Sequence, residues 1–435
     1  MRMPPYATPI LLLAGVFTAL SFLPVSLFDQ HYNRFESTAA QERKEVEEKK
    51  DENVPDTRPV VKHVSLPEQV KTIYMTSCVA GTIDFRNRVI ALAKETEINS
   101  IIIDIKDYSG TISFSPESAA WKPAWDAAVC GTPDMRGLVQ ILHDNNIFAI
   151  ARITVFQDPL YANKHPSEAV LRRDQSTVWA DHKGLSFVDV ASHQYWDHLI
   201  ELSTEVYNLG FDELNFDYIR YPSDGNMSDT YFPRSVAGEY GMDKQANLEA
   251  FFKYLNEKLS EEERFAKYRH ENTGRASSTP YTSADLFGMT TTNYNDLSIG
   301  QVQDRAAPYF DFLAPMVYPS HYPQNFLGLG DPNDSPYKIV YHAMKTGVDR
   351  MKAPTTPMQG FLHQRVGTSS PAVYMKPGYG PEKFRTWIQD FDYGGDYDAA
   401  DVRAQIQASY DAGVTSWMIW APSNIYTRGA LEGPE

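Results

Sequence analysis

The run Gly210-Phe211-Asp212-Glu213-Leu214-Asn215-Phe216-Asp217-Tyr218-Ile219-Arg220-Tyr221-Pro222 sets three acids, an amide and an arginine along one apolar segment. Carboxylates so placed can act as general acid, general base or nucleophile. The apolar residues suit a strand buried on both faces, which Pro222 ends. A two-residue repeat puts Asn215, Asp217 and Ile219 on one face and Phe216, Tyr218 and Arg220 on the other. An ionised Asp there costs several kcal/mol to desolvate unless it is paired or used, so Asp217 is a candidate site residue. The plainer alternative is a structural ion pair between Asp217 and Arg220.

Such residues need elements to bring them together. Short apolar runs at 72–79, 100–106, 148–156, 211–218, 282–289, 312–318, 356–361 and 416–420 read as strands. Amphipathic stretches at 86–96, 135–145, 193–208, 244–258, 301–310, 336–350 and 402–412 read as intervening helices. Eight strands alternating with helices predict an α/β fold, a (β/α)8 TIM barrel. The competing open doubly wound sheet lacks a Gly-x-Gly-x-x-Gly turn. In a barrel the strand ends converge on one mouth, here bringing Asp104, Lys106, Asp107, Arg152, Asn215, Asp217, Arg220, Asp285, Tyr318, His321 and Trp420 together.

Glycosidic hydrolysis uses two carboxyl groups ~5 to 9.5 Å apart, a spacing that neighbouring barrel strands supply. Asp217 is the expected nucleophile or charge stabiliser, with Arg220, Arg152 or Lys106 as counter-charge. Asp285, flanked by Ala284, Leu286 and Phe287, is the expected proton donor, because apolar surroundings favour a protonated carboxyl. Asp104, Asp107 and Glu213 are rivals. There is no His-Glu-x-x-His, no Gly-x-Ser-x-Gly elbow and no phosphate loop, so no metal or cofactor is expected.

A formal charge of -16 and the lack of basic stretches argue against nucleic acid as a partner. Residues 8–28 are uncharged and apolar, long enough to span a bilayer as an uncleaved anchor or to serve as a signal segment. The Glu- and Lys-dense run that follows cannot bury a core and reads as a tether. The expected domains are an anchor or signal at 1–30, a charged linker at 31–65 and a barrel at 66–430. Cys78 and Cys130 either pair in an oxidising compartment or remain buried thiols.

The motifs Ile103-Asp104-Ile105-Lys106-Asp107-Tyr108-Ser109-Gly110, 211–222, 283–288, 314–322 and 417–426 together resemble a bacterial family of TIM barrels regarded as glycoside hydrolases. That family, long listed as a domain of unknown function, is distantly similar to amylase-like and chitinase-like barrels. The resemblance implies that Asp217 and Asp285 are the strand-four and strand-five acids and that Tyr318, His321 and Trp420 belong to a sugar cleft. Asp104, Asp107, Arg152, Asn215 and Arg220 complete the expected substrate-binding set. Three positions depart from the pattern. Gly360 follows Gln359 where an Asp is expected in strand seven, Ala421 replaces an Asn, and Ile219 stands where chitinase-type barrels carry their proton-donating Glu. The expectation is a membrane-tethered, or secreted, extracytoplasmic glycosidase acting on a polysaccharide; the alternative is a non-catalytic carbohydrate-binding or envelope scaffold barrel.

Overall fold

The computed structural model describes residues 56–434. The apolar 8–28 segment lies outside them, and among the described residues no helix is long and apolar enough to cross a membrane. Eight parallel strands close a barrel in chain order: β1 (Lys71–Met75), β2 (Ser100–Lys106), β3 (Phe148–Thr154), β4 (Glu213–Asp217), β5 (Tyr281–Phe287), β6 (Phe312–Met316), β7 (Thr386–Gln389) and β8 (Trp417–Trp420). Closure comes from β8 on β1, with Trp417 opposite Lys71. The main outer helices are α1 (Ile83–Lys94), α2 (Met135–Asp144), α3 (His193–Leu209), α4 (Lys244–Leu259), α5 (Gln303–Ala306), α6 (Pro336–Lys352) and α7 (Ala399–Asp411).

The two faces of each strand explain both cores. In β2, Ile101, Ile103 and Ile105 point outward into the layer under the helices, while Ile102 points into the barrel. In β4, Leu214 and Phe216 go outward and leave Glu213, Asn215 and Asp217 facing in. Helix termini fix the entry into each strand. The Ser192 hydroxyl accepts from Tyr195 N to start α3, and Gly210 at φ 115° ends it just before β4, a conformation that glycine adopts without strain.

Seven of the eight expected strands coincide with barrel strands, but the seventh does not. Thr355–Thr356 pairs with Val373–Met375 in a small antiparallel sheet, completed by Gln364–Val366, that lies outside the barrel. The true seventh strand begins at Thr386 and leads through Gln389 to Asp390. Gln389-Asp390 stands at the end of that strand, and Gly360 lies outside the barrel strands. The folded unit also begins earlier than residue 66: Val60–Lys62 pairs in parallel with Arg269–Glu271. Cys78 and Cys130 form a disulfide with Cα atoms 4.7 Å apart.

Candidate active site

Along the inward face of β4 a polar ladder climbs from the closed end to the mouth. At the foot, Arg385 Nη1 donates to both oxygens of Glu213 at 2.6 Å, and Ser283 Oγ donates to Glu213 at 2.6 Å. All three residues are essentially inaccessible, so Glu213 is a structural acid at the far end from the mouth. One rung higher, Asn215 Nδ2 donates to Ser283 Oγ and to Asp285 Oδ1, each at 2.9 Å. Asp217 forms the top rung and opens into a cavity of about 290 Å³.

The cavity is lined by Arg152, Asp217, Arg220 and Asp285, with the rings of Tyr218, Tyr318, His321, Trp387 and Trp420 around them. Arg152 organises its carboxylates. Nη2 pairs with Asp217, Nη1 donates to Asp104 at 2.6 Å, and Nε lies 3.8 Å from Asp285 Oδ2. The Arg152 guanidinium lies 5.0 Å from the Trp420 ring centre, within reach of a cation–π contact. Trp420 in turn stacks on Tyr74 at 4.1 Å, and the Tyr74 hydroxyl donates to Asp104.

Burial, and next the negative charge of Asp217, push the Asp285 carboxyl well above the usual range, against the opposing pull of Arg152 and the hydrogen bonds from Asn215 and Trp387. The Trp387 Nε1 bond, at 2.8 Å, and the Asn215 bond both land on Oδ1, which leaves Oδ2 to carry a proton. In β4 and β5, Asn215 pairs with Ser283 and Phe216 with Ala284. One step further in that register sets Asp217 beside Asp285 on adjacent strands.

The chain leaves β4 through Tyr218, whose φ of 51° is uncommon for a bulky residue and stores strain. Tyr218 N donates to Asp217 Oδ1 at 2.6 Å, so the bend also orients the carboxylate. The same bend breaks the two-residue repeat. Ile219 enters the outer core, while Tyr218 and Arg220, expected on the face opposite Asp217, line the cavity with it. Arg152, not Arg220, is the ion-pair partner of Asp217.

Of the residues singled out in the sequence, Asp217, Asp285, Arg152, Arg220, Tyr318, His321 and Trp420 meet in the cavity wall. Asn215 and Asp104 support it from behind as partners of Asp285 and Arg152. Asp107 is not in that wall: its Oδ1 accepts from Ser109 N at 2.8 Å and from the Ser109 and Thr111 hydroxyls, holding the turn after β2. Lys106 is likewise used elsewhere, buried against Asp158 at 3.0 Å. Trp387 was missed because its strand was misplaced, although the run Trp387-Ile388-Gln389-Asp390 was there to be read. A larger groove of about 770 Å³ lies elsewhere, lined by residues such as Arg136 and Glu205. Its Glu205 accepts from the Glu117 and Ser118 amides.

A closed parallel barrel with paired carboxyl groups and aromatic rings at its strand ends defines a TIM-barrel protein with an enzyme-like mouth. The chain belongs to the family described as "Putative glycosyl hydrolase domain", whose model matches residues 72–426. Among solved structures it is similar to the PgaB (BpsB) glycoside hydrolase domain from Bordetella bronchiseptica, with 13% identity, 84% of this chain and 99% of that chain covered, and a TM-score of 0.52. That likeness is one of fold. A hypothetical protein from Ruminiclostridium thermocellum ATCC 27405 is 28% identical over 46% of this chain and 95% of its own, with a TM-score of 0.39. Alpha-L-fucosidase isoenzyme 2 from Paenibacillus thiaminolyticus is 12% identical over 83% of this chain and 48% of its own, with a TM-score of 0.48. No curated protein matches the chain.

Proposed function

We propose that this protein hydrolyses an O-glycosidic bond in a cell-surface or environmental polysaccharide, with Asp285 as proton donor and Asp217 as nucleophile or charge stabiliser. The observation that carries the reading is that two acids from adjacent strands open into one ring-lined cavity and share one guanidinium. Contact with a single Arg152 keeps the carboxyl groups inside the ~9.5 Å limit of glycosidase geometry. Burial keeps the proton on Asp285, ready for the leaving oxygen, while Asp217 faces the positive charge that develops on the sugar carbon. The rings of Trp420, Trp387 and Tyr318 supply apolar surfaces on which sugar faces stack.

The test is a polysaccharide screen followed by substitution. Asp217→Asn and Asp285→Asn should each lower turnover ~10²- to 10⁴-fold on the substrate found, in variants that circular dichroism shows to be folded. Full turnover in both variants would overturn the assignment, and glycan binding without turnover in the parent would favour a non-catalytic barrel. We further propose that the barrel works outside the cytoplasm, anchored or released through residues 8–28. The Cys78–Cys130 disulfide, at home in an oxidising compartment, supports this reading. Protease shaving of intact cells checks it: the barrel should be digested, and protection until lysis would argue against it.

A further inference from the structure

Arg220 lines the cavity without an ion pair to any acid among the described residues. The left-handed turn at Tyr218 brings it to the wall beside Asp217. Its Nη1 donates to Tyr221 O and to Ser223 Oγ, both at 3.1 Å, and the guanidinium rests 5.0 Å from the centre of the Tyr218 ring. Among the described residues its nearest acids, Asp217, Asp224 and Asp181, act from beyond ion-pair distance. Asp217 is taken by Arg152, which itself holds Asp104 and lies near Asp285. The Nε and Nη2 edge of Arg220 is thus left to whatever enters the cavity. A partly buried guanidinium gives up hydration that only an anion restores in full, and its planar fork suits two oxygens of one acidic group.

We propose that Arg220 binds an anionic substituent, a carboxylate or a sulfate ester, on the sugar held in the cavity, so that the substrate is an acidic polysaccharide. This rests on the glycosidase reading above. The formal charge of -16 does not oppose it at contact, because exposed charges more than ~8 Å away are largely screened at physiological salt.

Calorimetric titration of the full chain carrying Asp285→Asn, which slows turnover on the time of the titration, tests the proposal. The probes are oligogalacturonates and sulfated galactan oligosaccharides, each beside its carboxyl-reduced or desulfated twin. One acidic set should bind ~10- to 100-fold more tightly than its neutral twin, the range of a charge-assisted contact, and which set does so tells carboxylate from sulfate. Adding Arg220→Gln should bring that ratio close to one, and Arg220→Lys should keep part of it, with unchanged melting temperatures showing that both variants fold. Neutral twins binding equally well, or a ratio that survives Arg220→Gln, would overturn the proposal. Turnover of neutral glycans alone would overturn the acidic class and leave the glycosidase reading standing, whereas a cavity that binds neither kind would overturn both.

Discussion

Arg152 holds Asp104 and Asp217 apart from outright repulsion, so its removal should be felt in stability as well as activity. Arg152→Gln leaves two buried acids without their counter-charge and should cost about 3 to 5 kcal/mol in urea unfolding. Arg152→Lys, which keeps the charge but loses the fork, should fall between; a Gln variant within 1 kcal/mol of the parent would contradict the role. The pH profile follows from Asp285. A proton donor works only while protonated, so kcat/KM should persist above the ordinary Asp range and fall as pH rises through the elevated Asp285 value. A profile already falling between pH 4 and 5 would contradict it. Asp217 and Asp285 were legible in the sequence because an acid inside an apolar run is conspicuous. The side taken by Tyr218 and Arg220 was not, since a left-handed tyrosine carries no signature in residue type and silently ends the two-residue repeat.

At the scale of elements, the ladder on β4 ties the mouth to the barrel floor. Glu213→Gln removes the charge facing Arg385 and should destabilise the fold by about 3 to 5 kcal/mol, although Glu213 lies outside the cavity wall. Equal stability by urea unfolding would show that the pair is not needed. The disulfide closes a separation of 52 residues, for which chain entropy gives about 4 kcal/mol, so a reductant should lower the melting temperature by several degrees. Strand existence was readable from apolar runs, but strand partnership was not. Thr355–Thr356 is a strand in a small outer sheet, and β7 is only four residues long, preceded by the long excursion of 353–383. Local pattern says that a segment extends; the ring that must close decides which extended segment is recruited.

At the scale of the molecule, the barrel is acid at its mouth and histidine-rich where the leading segment packs. His63 Nδ1 meets Asp212 at 3.1 Å, its Nε2 meets His270 Nδ1 at 2.9 Å, and His143 meets the other Asp212 oxygen at 3.0 Å. Burial, and then His63, lower His270 to about 3. For Asp212, burial pushes upward, but the hydrogen bonds from His143 and His63 outweigh it and leave the acid below its usual range. Both shifts act in the same direction. The unfolded chain binds more protons than the native one, through His270 below its ordinary ~6.5 and through Asp212 at lower pH. Stability should therefore fall as pH drops from about 6.5 toward about 3, and His270→Gln should flatten that slope in urea unfolding. Identical slopes would exclude the cluster as the source. The most direct test of the whole arrangement, an acid raised by burial and then by a charged neighbour on the next strand, is carbon-13 NMR titration of the Asp285 carboxyl in the parent and in Asp217→Asn. The expected result is a midpoint well above that of an ordinary Asp in the parent, moved down once the Asp217 charge is gone. An ordinary midpoint, unmoved by the substitution, would contradict the assignment of acid and partner.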